Sequence, residues 1–364
     1  MPSARDQDVL SFLVEWYDPL PQLTKQYLLK YYVDSNEAEM VELKTRRLFL
    51  KRSPCPQHLT VKDFALGSKV ILYGRDLTIA AYADKPTEAA LTPQTESAAF
   101  LIGSEAFSAS GKLLDTFVAA TRGVFSRLKM VRLDPDLATE AARCLGLQDQ
   151  AARDAATGLA KGAVLFGTIR GSGVRALMMK ACEKQAVQGV WCSALNTNAE
   201  DMELLFAPNG PVSRRKGAET ATFDSCTCCV IKPHAVKAGA VGKIIDHILG
   251  QGYEVSALET FRLNRTQAQE FFEVYQGVIP QYGDMLDEMT TGACVAIEVR
   301  GNNVVAAFRD TAGPWDVDMA KELRPNSIRG AFGDNGVKTG VHCTDLPEDG
   351  PSECRYFFEL MQGV

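Results

Sequence analysis

Histidine is scarce in this chain, with four among 364 residues, and His342 lies in a setting that suits chemistry. It follows a short glycine-containing approach, has the hydroxyl of Thr344 two residues later, and precedes an acidic run that ends at Glu353. An imidazole that titrates near neutral pH can act as a nucleophile through one ring nitrogen when a carboxylate holds the other. The same pattern is typical of a surface histidine among acids, so this stretch alone leaves both interpretations open.

Three cationic residues upstream of His342 would complete a phosphate site. Lys232 follows the apolar run Cys228 to Ile231, which is typical of a buried strand, and a proline comes next, so we expect Lys232 at a strand end. Arg309 follows an apolar run, and Arg329 lies in a loop-like stretch between two helical patterns. One lysine and two arginines that converge on a histidine would clamp a polyphosphate and place a phosphate acceptor among its oxygens.

The order of these residues resembles nucleoside diphosphate kinase, over roughly residues 223–358. The motifs that carry the resemblance are Val230-Ile-Lys232-Pro, Gly239-Ala-Val-Gly-Lys243, Ser327-Ile-Arg329-Gly and Val341-His342-Cys-Thr-Asp345. The resemblance implies that Lys232, Arg309 and Arg329 bind the phosphates of ATP or another nucleoside triphosphate together with Mg2+, which the phosphates themselves carry. It also implies that His342 is phosphorylated and that Glu353 orients it. Thr344 matches the family's hydroxyl next to the histidine.

Four positions depart from that family's pattern or match it loosely. Trp315 stands where a phosphate-binding threonine is expected, and Thr339 stands where the family has asparagine. The aromatic residue that stacks on the base is expected near Tyr282, and the tyrosine beside the histidine at Phe272, with a one-residue gap in the alignment. Losing one charge-assisted phosphate contact costs roughly 1.5–3 kcal/mol, or about 10- to 150-fold. Two such losses predict a slow enzyme or a protein that only binds nucleotide.

A block of about 110 residues upstream looks like a degraded copy of this domain. Phe100-Leu-Ile102-Gly103 aligns with Cys229-Val-Ile231-Lys232, Gly111-Lys112 with Gly242-Lys243, and Gly189-Val-Trp191-Cys-Ser193 with Gly340-Val-His342-Cys-Thr344. In this copy Gly103 replaces the lysine and Trp191 replaces the histidine. Gly162 and Trp191 are 29 positions apart, whereas Gly292 and His342 are 50 apart, so 21 residues are missing where the last domain carries Arg329. The copy is therefore expected to be inactive, with Trp191 filling its former site.

Residues 8–82 look like a small β domain, with six short β-favouring runs separated by polar turns. The stretches around Trp16-Tyr17, Arg47 to Arg52 and Asp63 to Val70 resemble the doublet-microtubule module of axonemal proteins, which implies a pleckstrin-homology-like fold. Trp16 and Tyr17 are expected to be core or strand-edge aromatics rather than a ligand site. Five positive charges fall in nine residues, at Lys44, Arg46, Arg47, Lys51 and Arg52. They fit either a solvated hairpin or a patch for an acidic partner such as tubulin.

Several connecting elements can also be predicted. Asp84 to Ser97 and Ala207 to Glu219 have the Pro-, Gly- and Thr-rich composition of linkers. We expect Thr266 to cap a helix that runs to Tyr275, and Pro351 to begin a C-terminal helix with Phe357, Leu360 and Met361 facing inward and Glu353 in its first turn.

Composition excludes some classes of function. The net charge of −6 argues against nucleic-acid binding, which needs a basic surface. The first residues lack the apolar core of a signal peptide and no apolar run approaches the roughly 18 residues of a membrane span, so a cytoplasmic protein without membrane contact is expected. Ten cysteines are too dilute for a disulfide scaffold, and Cys226-Thr-Cys228-Cys229 lacks further ligands at zinc spacing, so no protein-bound metal is expected.

The sequence therefore predicts an α+β/α/β chain of three domains. They are a pleckstrin-homology-like doublet-microtubule module at 8–83, a degenerate ferredoxin-like kinase repeat at 98–207, and a kinase repeat with a near-complete site at 223–364. We expect a microtubule-associated protein of the ciliary or flagellar axoneme, with tubulin and other doublet-microtubule proteins as partners, that transfers phosphate between nucleoside tri- and diphosphates. The alternative is a silent structural component of the doublet microtubule that at most binds nucleotide.

Overall fold

The computed structural model describes residues 9–18, 23–91, 96–185, 187–193 and 199–362. The chain forms two compact units, Met1–Glu96 and Ser97–Val364. Residue 8, where the first domain was predicted to begin, lies outside the described residues, as do positions 92–95 of the first predicted linker and 363–364 at the predicted end of the last domain. Within the part of the chain that is described, none of the helices combines the length and the apolar character that crossing a membrane requires.

Among its described residues, the first unit is an antiparallel sheet with one α-helix and a short 3-10 turn, Val61–Asp63. Its elements are β1 (Val9–Asp18), β2 (Leu23–Tyr32), β3 (Glu37–Glu42), β4 (Leu48–Pro54), β5 (Lys69–Leu72), β6 (Arg75–Tyr82) and α1 (Lys85–Leu91). The strand order is β4-β3-β2-β1-β6-β5. Each of the six predicted runs lies in a strand. The turn that joins β2 to β3 has Asn36 in the left-handed region at φ 48°. The pleckstrin-homology-like topology stays a prediction.

Alternation along β1 decides which of its side chains enter the core. Phe12 and Val14 are fully buried, and the ring of Phe12 stacks on Phe64 with centroids 5.0 Å apart. Trp16 is partly buried, while its neighbour Tyr17 is 57% exposed. Successive strand residues point to opposite faces, so one aromatic packs and the next meets solvent.

The first predicted linker is wrong over residues 85–91, because these residues form α1. The Asp84 carboxylate accepts a hydrogen bond from the Thr87 backbone N–H at 2.8 Å, and the Thr87 hydroxyl accepts one from the Ser11 backbone N–H at 2.8 Å. Leu91 is buried in the core of the sheet. Proline is tolerated in the first turn of a helix, so the Lys-Pro-Thr composition marks a helix start here and not a flexible connection.

The second unit contains one eight-stranded sheet covered by helices. Its first half comprises β7 (Ser97–Ile102), α2 (Ser110–Thr121), β8 (Val124–Arg132), α3 (Pro135–Cys144), α4 (Asp149–Leu159), β9 (Ala163–Arg170), α5 (Val174–Gln185), β10 (Val190–Cys192) and α6 (Ala199–Leu205).

The second half contributes the remaining strands and helices. They are β11 (Cys226–Ile231), α7 (Pro233–Lys237), α8 (Val241–Gly250), β12 (Glu254–Phe261), α9 (Arg265–Phe271), α10 (Tyr282–Thr290), β13 (Cys294–Arg300), α11 (Val304–Ala312), α12 (Val317–Leu323), α13 (Ile328–Phe332), β14 (Val341–Cys343) and α14 (Gly350–Arg355), which continues as a π-helical turn, Tyr356–Leu360.

The two halves of this sheet have the same internal order. The whole sheet runs β10-β7-β9-β8-β12-β13-β11-β14, so each half, read from its outer edge, places its fourth, first, third and second strands side by side. This antiparallel 4-1-3-2 order is that of a ferredoxin-like fold. The halves join where β8 pairs with β12, at Lys129 opposite Glu259, whose side chains form an ion pair at 3.0 Å.

Two glycines allow α2 and α8 to cross closely. A Cβ added to Gly111 would lie 2.3 Å from the Asp246 backbone N, and one added to Gly242 would lie 2.3 Å from the Asp115 backbone N. These are the two glycines that the internal alignment pairs. The contact is therefore reciprocal, as in a two-fold symmetric interface, although both helices belong to one chain.

Three smaller expectations are wrong. Residues 207–219 are a packed connection and not a free linker, because Val212 and Ala218 are buried and the Ala218 carbonyl accepts a hydrogen bond from the Arg132 backbone N–H at 2.8 Å. Asn264 caps α9 instead of Thr266, through a reciprocal pair of hydrogen bonds with Gln267. Leu360 is 67% exposed, since the π-helical turn rotates it away from the face that buries Phe357.

Candidate active site

His342 lies at the centre of β14, opposite Val230 of β11, and only 1% of its surface is exposed. Three aromatic rings meet it edge-on, with centroid distances of 5.1 Å for Phe271, 5.4 Å for Phe272 and 6.2 Å for Tyr275. The rings exclude water from the imidazole and fix its plane. Phe272 therefore stands beside the histidine, where the alignment predicted it.

The two nitrogens of His342 have different surroundings. Nε2 lies 3.0 Å from Glu353 Oε2, and the Thr344 hydroxyl donates to the same oxygen at 2.9 Å. Thr344 in turn accepts a hydrogen bond from the Cys228 backbone N–H at 2.9 Å, which fixes its rotamer against β11. Within the described structure Nδ1 is buried and has no hydrogen-bond partner. A carboxylate thus holds one nitrogen, and the other keeps its lone pair for a ligand.

Lys232 stands where β11 ends and α7 begins, and it is fully buried. Its Nζ donates a hydrogen bond to the Val337 carbonyl at 2.8 Å, in the approach to β14. Burial, reinforced by the nearby Arg329 guanidinium, lowers the pKa of Lys232 to about 7. The amine therefore titrates close to neutral pH and would gain its full charge when an anion binds beside it.

Arg329 lies inside α13, which Ser327 caps by accepting a hydrogen bond from the Gly330 backbone N–H at 3.2 Å. The predicted loop is thus a short helix at this point, because serine is a favoured N-cap residue. The guanidinium donates to the Gly313 carbonyl at 2.8 Å and to Cys343 Sγ at 3.5 Å. Its Nε is buried and, among the residues described, unpartnered. Like Nδ1 of His342, it is a buried polar atom whose hydrogen bond remains to be made.

Arg309 projects from α11 and forms an ion pair with Asp345. The Tyr275 hydroxyl donates to the other oxygen of the same carboxylate. A polyphosphate that bound the Arg309 guanidinium would have to displace Asp345 from it. Since the Arg309 side chain is 45% exposed, this ion pair is weak enough to exchange for a phosphate contact.

Trp315 covers the centre of the cluster. Its ring centroid lies 5.5 Å from Lys232 Nζ, 5.2 Å from Arg329 Cζ and 6.0 Å from the Tyr275 ring. A cavity of about 420 Å³ lies beside it, in the range typical of ligand sites, and its lining includes Arg309, Arg329 and Asp345. Indole therefore stands where the family pattern calls for a phosphate-binding hydroxyl.

Two other predicted positions do not join the cluster. Tyr282 begins α10 and packs, partly buried, against the core that contains Phe271 and Phe272, but it is not one of the rings around His342. Its role against a nucleotide base stays a prediction. Thr339 is fully buried, and its hydroxyl donates to the Val341 carbonyl at 3.1 Å, within its own loop.

The structure adds residues that the sequence did not single out. Tyr275 and Asp345 enter the site through their contact with each other and with Arg309. The sequence did not indicate a role for Tyr275, since an aromatic residue at the end of a predicted helix is typical of a core position. The sequence also gave no indication of His234, which contacts the loop before His342, or of Glu288, which contacts His234.

The cysteine cluster also looks different in the fold. One ligand atom each from Cys226, Cys354 and Glu298 lies within 4.8 Å of the other two, so residues distant in sequence supply what the Cys226 motif lacked. The Glu298 carboxylate already accepts hydrogen bonds from the backbone and hydroxyl of Thr222, the backbone of Phe223 and the hydroxyl of Ser256. These bonds account for its burial without an ion. The expectation of no protein-bound metal stays a prediction.

In the first half of the sheet, Trp191 of β10 occupies the position that His342 has in β14. Its ring packs so closely that a Cβ on Gly103 or Gly158 would lie 3.2 Å or 3.0 Å from it. One helix, α5, connects β9 to β10, whereas α11, α12 and α13 lie between β13 and β14. Since α5 follows β9 as α11 follows β13, the 21 missing residues correspond to the region of α12 and α13, which carries Arg329.

Comparison with known proteins agrees with this geometry. Residues 225–362 match the family profile of nucleoside diphosphate kinase. The chain is 34% identical to nucleoside diphosphate kinase homolog 7 from Rattus norvegicus, over 96% of this chain and 93% of the relative. The chain belongs to the nucleoside diphosphate kinase homolog 7 family. Other relatives, named nucleoside diphosphate kinase, match a shorter part of this chain.

The nucleoside diphosphate kinase of Aquifex aeolicus illustrates that partial match. It is 33% identical over 38% of this chain and 96% of its own length. A solved crystal structure of the Aquifex aeolicus kinase aligns with 32% identity over 38% of this chain and 99% of the solved one, with a TM-score of 0.36. Since the Rattus norvegicus relative covers 96% of this chain, its match also includes residues that precede position 225.

Proposed function

We propose that residues 223–364 form a nucleoside diphosphate kinase domain that transfers the γ-phosphoryl group of a nucleoside triphosphate to a nucleoside diphosphate through His342. The observation that carries the proposal is the hydrogen bonding of the two ring nitrogens of His342. Glu353 holds Nε2 at 3.0 Å, and Nδ1 is buried with no partner in the described structure. This arrangement requires the proton on Nε2, so that Nδ1 carries the lone pair that attacks phosphorus.

The first half-reaction forms a bond from Nδ1 of His342 to the γ-phosphorus and breaks the bond from that phosphorus to the β,γ-bridging oxygen. The diphosphate leaves with the bonding electron pair, and no proton need be transferred. Glu353 stabilises the imidazole as it gains positive character, because its carboxylate accepts the hydrogen bond from Nε2. A second diphosphate then takes the phosphoryl group by the reverse steps.

The cationic side chains of the site would stabilise the negative charge of the nucleotide phosphates. Lys232 and Arg329 both lie at the Trp315 ring, and Arg329 contacts Cys343, next to the acceptor in sequence. Arg309 becomes available when it exchanges Asp345 for phosphate oxygens. These residues suit phosphate oxygens and not a metal ion, since Asp345 is engaged by Arg309 and Tyr275. Mg2+ bound to the nucleotide would supply further neutralisation of phosphate charge.

Phosphohistidine labelling tests the proposal. Incubation of the full chain with γ-labelled Mg-ATP should give an acid-labile, base-stable label that His342→Ala abolishes. The matched control is His247→Ala, in which a histidine on α8, away from the site, is removed. Label that survives in His342→Ala, or wild-type protein that binds nucleotide without being labelled, would refute the assignment.

We also propose that the first half of the second unit is a degenerate kinase repeat. Its support is the shared strand order, the reciprocal glycine contact between α2 and α8, and the replacement of the lysine and histidine by Gly103 and Trp191. On this proposal, an isotope label would be found only in peptides from residues 223–364.

The first unit is proposed to hold the protein on the axonemal doublet microtubule of a cilium or flagellum, in the cytoplasm, with tubulin as its partner. The support is the resemblance of the module and the exposure of Lys44, Arg46, Arg47, Lys51 and Arg52 on and beside the hairpin that joins β3 to β4. Tubulin is acidic, so a basic hairpin suits it. The competing function is a purely structural protein with a vestigial site, and it predicts that His342→Ala has no biochemical effect.

A further inference from the structure

A second histidine contacts the loop that carries His342. His234 lies near the start of α7, and its Nε2 accepts a hydrogen bond from the Gly340 backbone N–H at 3.1 Å. Its Nδ1 lies 2.8 Å from Glu288 Oε1. Its side chain is 9% exposed and that of Glu288 is 4% exposed. Since Nε2 accepts a hydrogen bond, the proton lies on Nδ1 and is donated to Glu288. The imidazole is therefore locked in one tautomer and orientation.

Glu288 also fixes the helix from which His234 projects. The same Oε1 accepts the His234 backbone N–H at 2.9 Å, so a carboxylate from α10 satisfies a free donor at the start of α7. Burial acts to raise the pKa of Glu288, but the hydrogen bonds from the His234 side chain and backbone outweigh it and hold that pKa below its usual value. The carboxylate stays ionised and keeps His234 in place.

Gly340 is held from both sides. Its N–H donates to His234, and its carbonyl accepts from the Lys232 backbone N–H at 3.0 Å. Its φ of 81° suits only glycine, and a Cβ would meet the Phe332 backbone at 3.3 Å. Two residues later comes His342, so a small shift of Gly340 moves the imidazole relative to Lys232 and Arg329.

We infer that His234, oriented by Glu288, is a positioning residue that sets the place of His342 in the phosphate cluster. The inference rests on the proposed function, since it assigns His234 a role in the phosphorylation of His342. His234 does not touch the reacting atoms. A displacement of about 1 Å at a reacting group costs on the order of 100-fold in rate, so the effect should appear in the chemical step more than in nucleotide binding.

Two substitutions separate the hydrogen bonds of His234. In His234→Asn the side-chain amide takes the place of Nδ1, so it can donate to Glu288 but leaves Gly340 without an acceptor. In His234→Gln the amide oxygen reaches the place of Nε2 and can accept from Gly340. The measurements on both variants and wild type are the single-turnover rate of His342 phosphorylation by Mg-ATP, the nucleotide dissociation constant, and amide hydrogen exchange at Gly340.

We expect His234→Asn to lower the single-turnover rate about 10- to 100-fold, with less than about a threefold change in nucleotide affinity, and to speed exchange at Gly340. His234→Gln should stay within about threefold of wild type on every measure. An Asn variant that reacts like wild type, or two variants that lose rate and nucleotide affinity equally, would overturn the inference.

The two proposals fail in different ways. If wild type is never phosphorylated, the proposed function fails, and exchange at Gly340 alone then decides whether His234 fixes the loop. Faster amide exchange at Gly340 in His234→Asn but not in His234→Gln would uphold the contact between His234 and Gly340. Equal exchange in both variants and wild type would refute it. If wild type is phosphorylated and the Asn variant is not slower, only the positioning role is lost.

Discussion

The Trp315 ring lies 5.5 Å from Nζ of Lys232, so an aromatic ring covers a cation that the proposed phosphate transfer would use. The same ring lies 5.2 Å from Cζ of Arg329. Contacts of this kind stabilise a cation by about 0.5–2 kcal/mol, and an incoming phosphate must replace them. Trp315 is therefore expected to slow this site compared with one that has a small hydroxyl residue there.

Replacing the indole should improve the site. We expect Trp315→Thr to bind Mg-ADP about tenfold more tightly, because the cation contacts are released and a hydroxyl becomes available to phosphate. Isothermal titration calorimetry measures this, with Trp315→Phe as the control that keeps an aromatic face over the cations. A Thr variant that binds Mg-ADP no more tightly than wild type would show that the indole does not obstruct the cluster.

Nucleotide binding should depend on the charge of Lys232. The free amine has a pKa of about 7, lowered first by burial and then by Arg329. Phosphate binds the ammonium form, which is present below that pKa and is lost as pH rises. The dissociation constant of Mg-ADP should therefore increase by up to about tenfold per pH unit between about pH 7.5 and 9. A flat profile for wild type, or an equally steep one for Lys232→Gln, would contradict this origin.

Local patterns predicted the framework well. The six strands of the first unit and β11 follow from short apolar or β-favouring runs bounded by polar or proline-containing stretches. The site residues that lie within short motifs, Lys232, Arg329, His342 and Thr344, are brought together by β11, α13 and β14. Glu353 reaches His342 because α14, which begins at Gly350, packs on β11, and spacing alone could not establish that packing.

The contacts that the sequence could not predict mostly join residues that are far apart in the chain. Tyr275 and Asp345 meet through a hydrogen bond between residues 70 positions apart. His234 and Glu288 are 54 apart. The α1 helix was hidden because Lys-Pro-Thr suits both a linker and a helix start, and its burial depends on Leu91 reaching the core of the first unit. Such contacts depend on how separate elements pack.

Close approach of α2 and α8 should make Gly242 intolerant of side chains. Gly242→Leu places a Cβ about 2.3 Å from the Asp115 backbone N, so the helices must separate. We expect a loss of at least about 1–3 kcal/mol in the free energy of unfolding, measured by chemical denaturation. Gly250→Ala, at the end of the same helix with open space around it, is the control and should change stability by less than about 1 kcal/mol. Similar losses in both variants would refute the close crossing.

Charge reversal in the β3–β4 hairpin tests the docking proposal. Arg52 is left unchanged, because it forms an ion pair with Glu37 at 2.6 Å and stacks on Tyr32. We expect Arg46→Glu with Arg47→Glu to release the protein from purified microtubules in milder salt than wild type, since screening shortens the Debye length from about 10 Å at 0.1 M to about 3 Å at 1 M. Co-sedimentation over a salt series measures the release.

The matched control changes the same charge elsewhere in the first unit. Lys62→Glu with Lys69→Glu alters two exposed lysines away from the hairpin. This control should behave like wild type. If it is released as readily as the hairpin variant, net charge and not a docking surface governs binding.

The most direct measurement of phosphate transfer is a chase of the phosphorylated protein. Full-length chain is labelled with γ-labelled Mg-ATP, freed of nucleotide, and mixed with unlabelled Mg-GDP. A ping-pong kinase with Nδ1 of His342 as the acceptor predicts that the label leaves the protein and appears in GTP, and that Glu353→Gln slows both half-reactions. Label that stays on the protein, or that is released only as inorganic phosphate, would contradict nucleoside diphosphate kinase activity at this site.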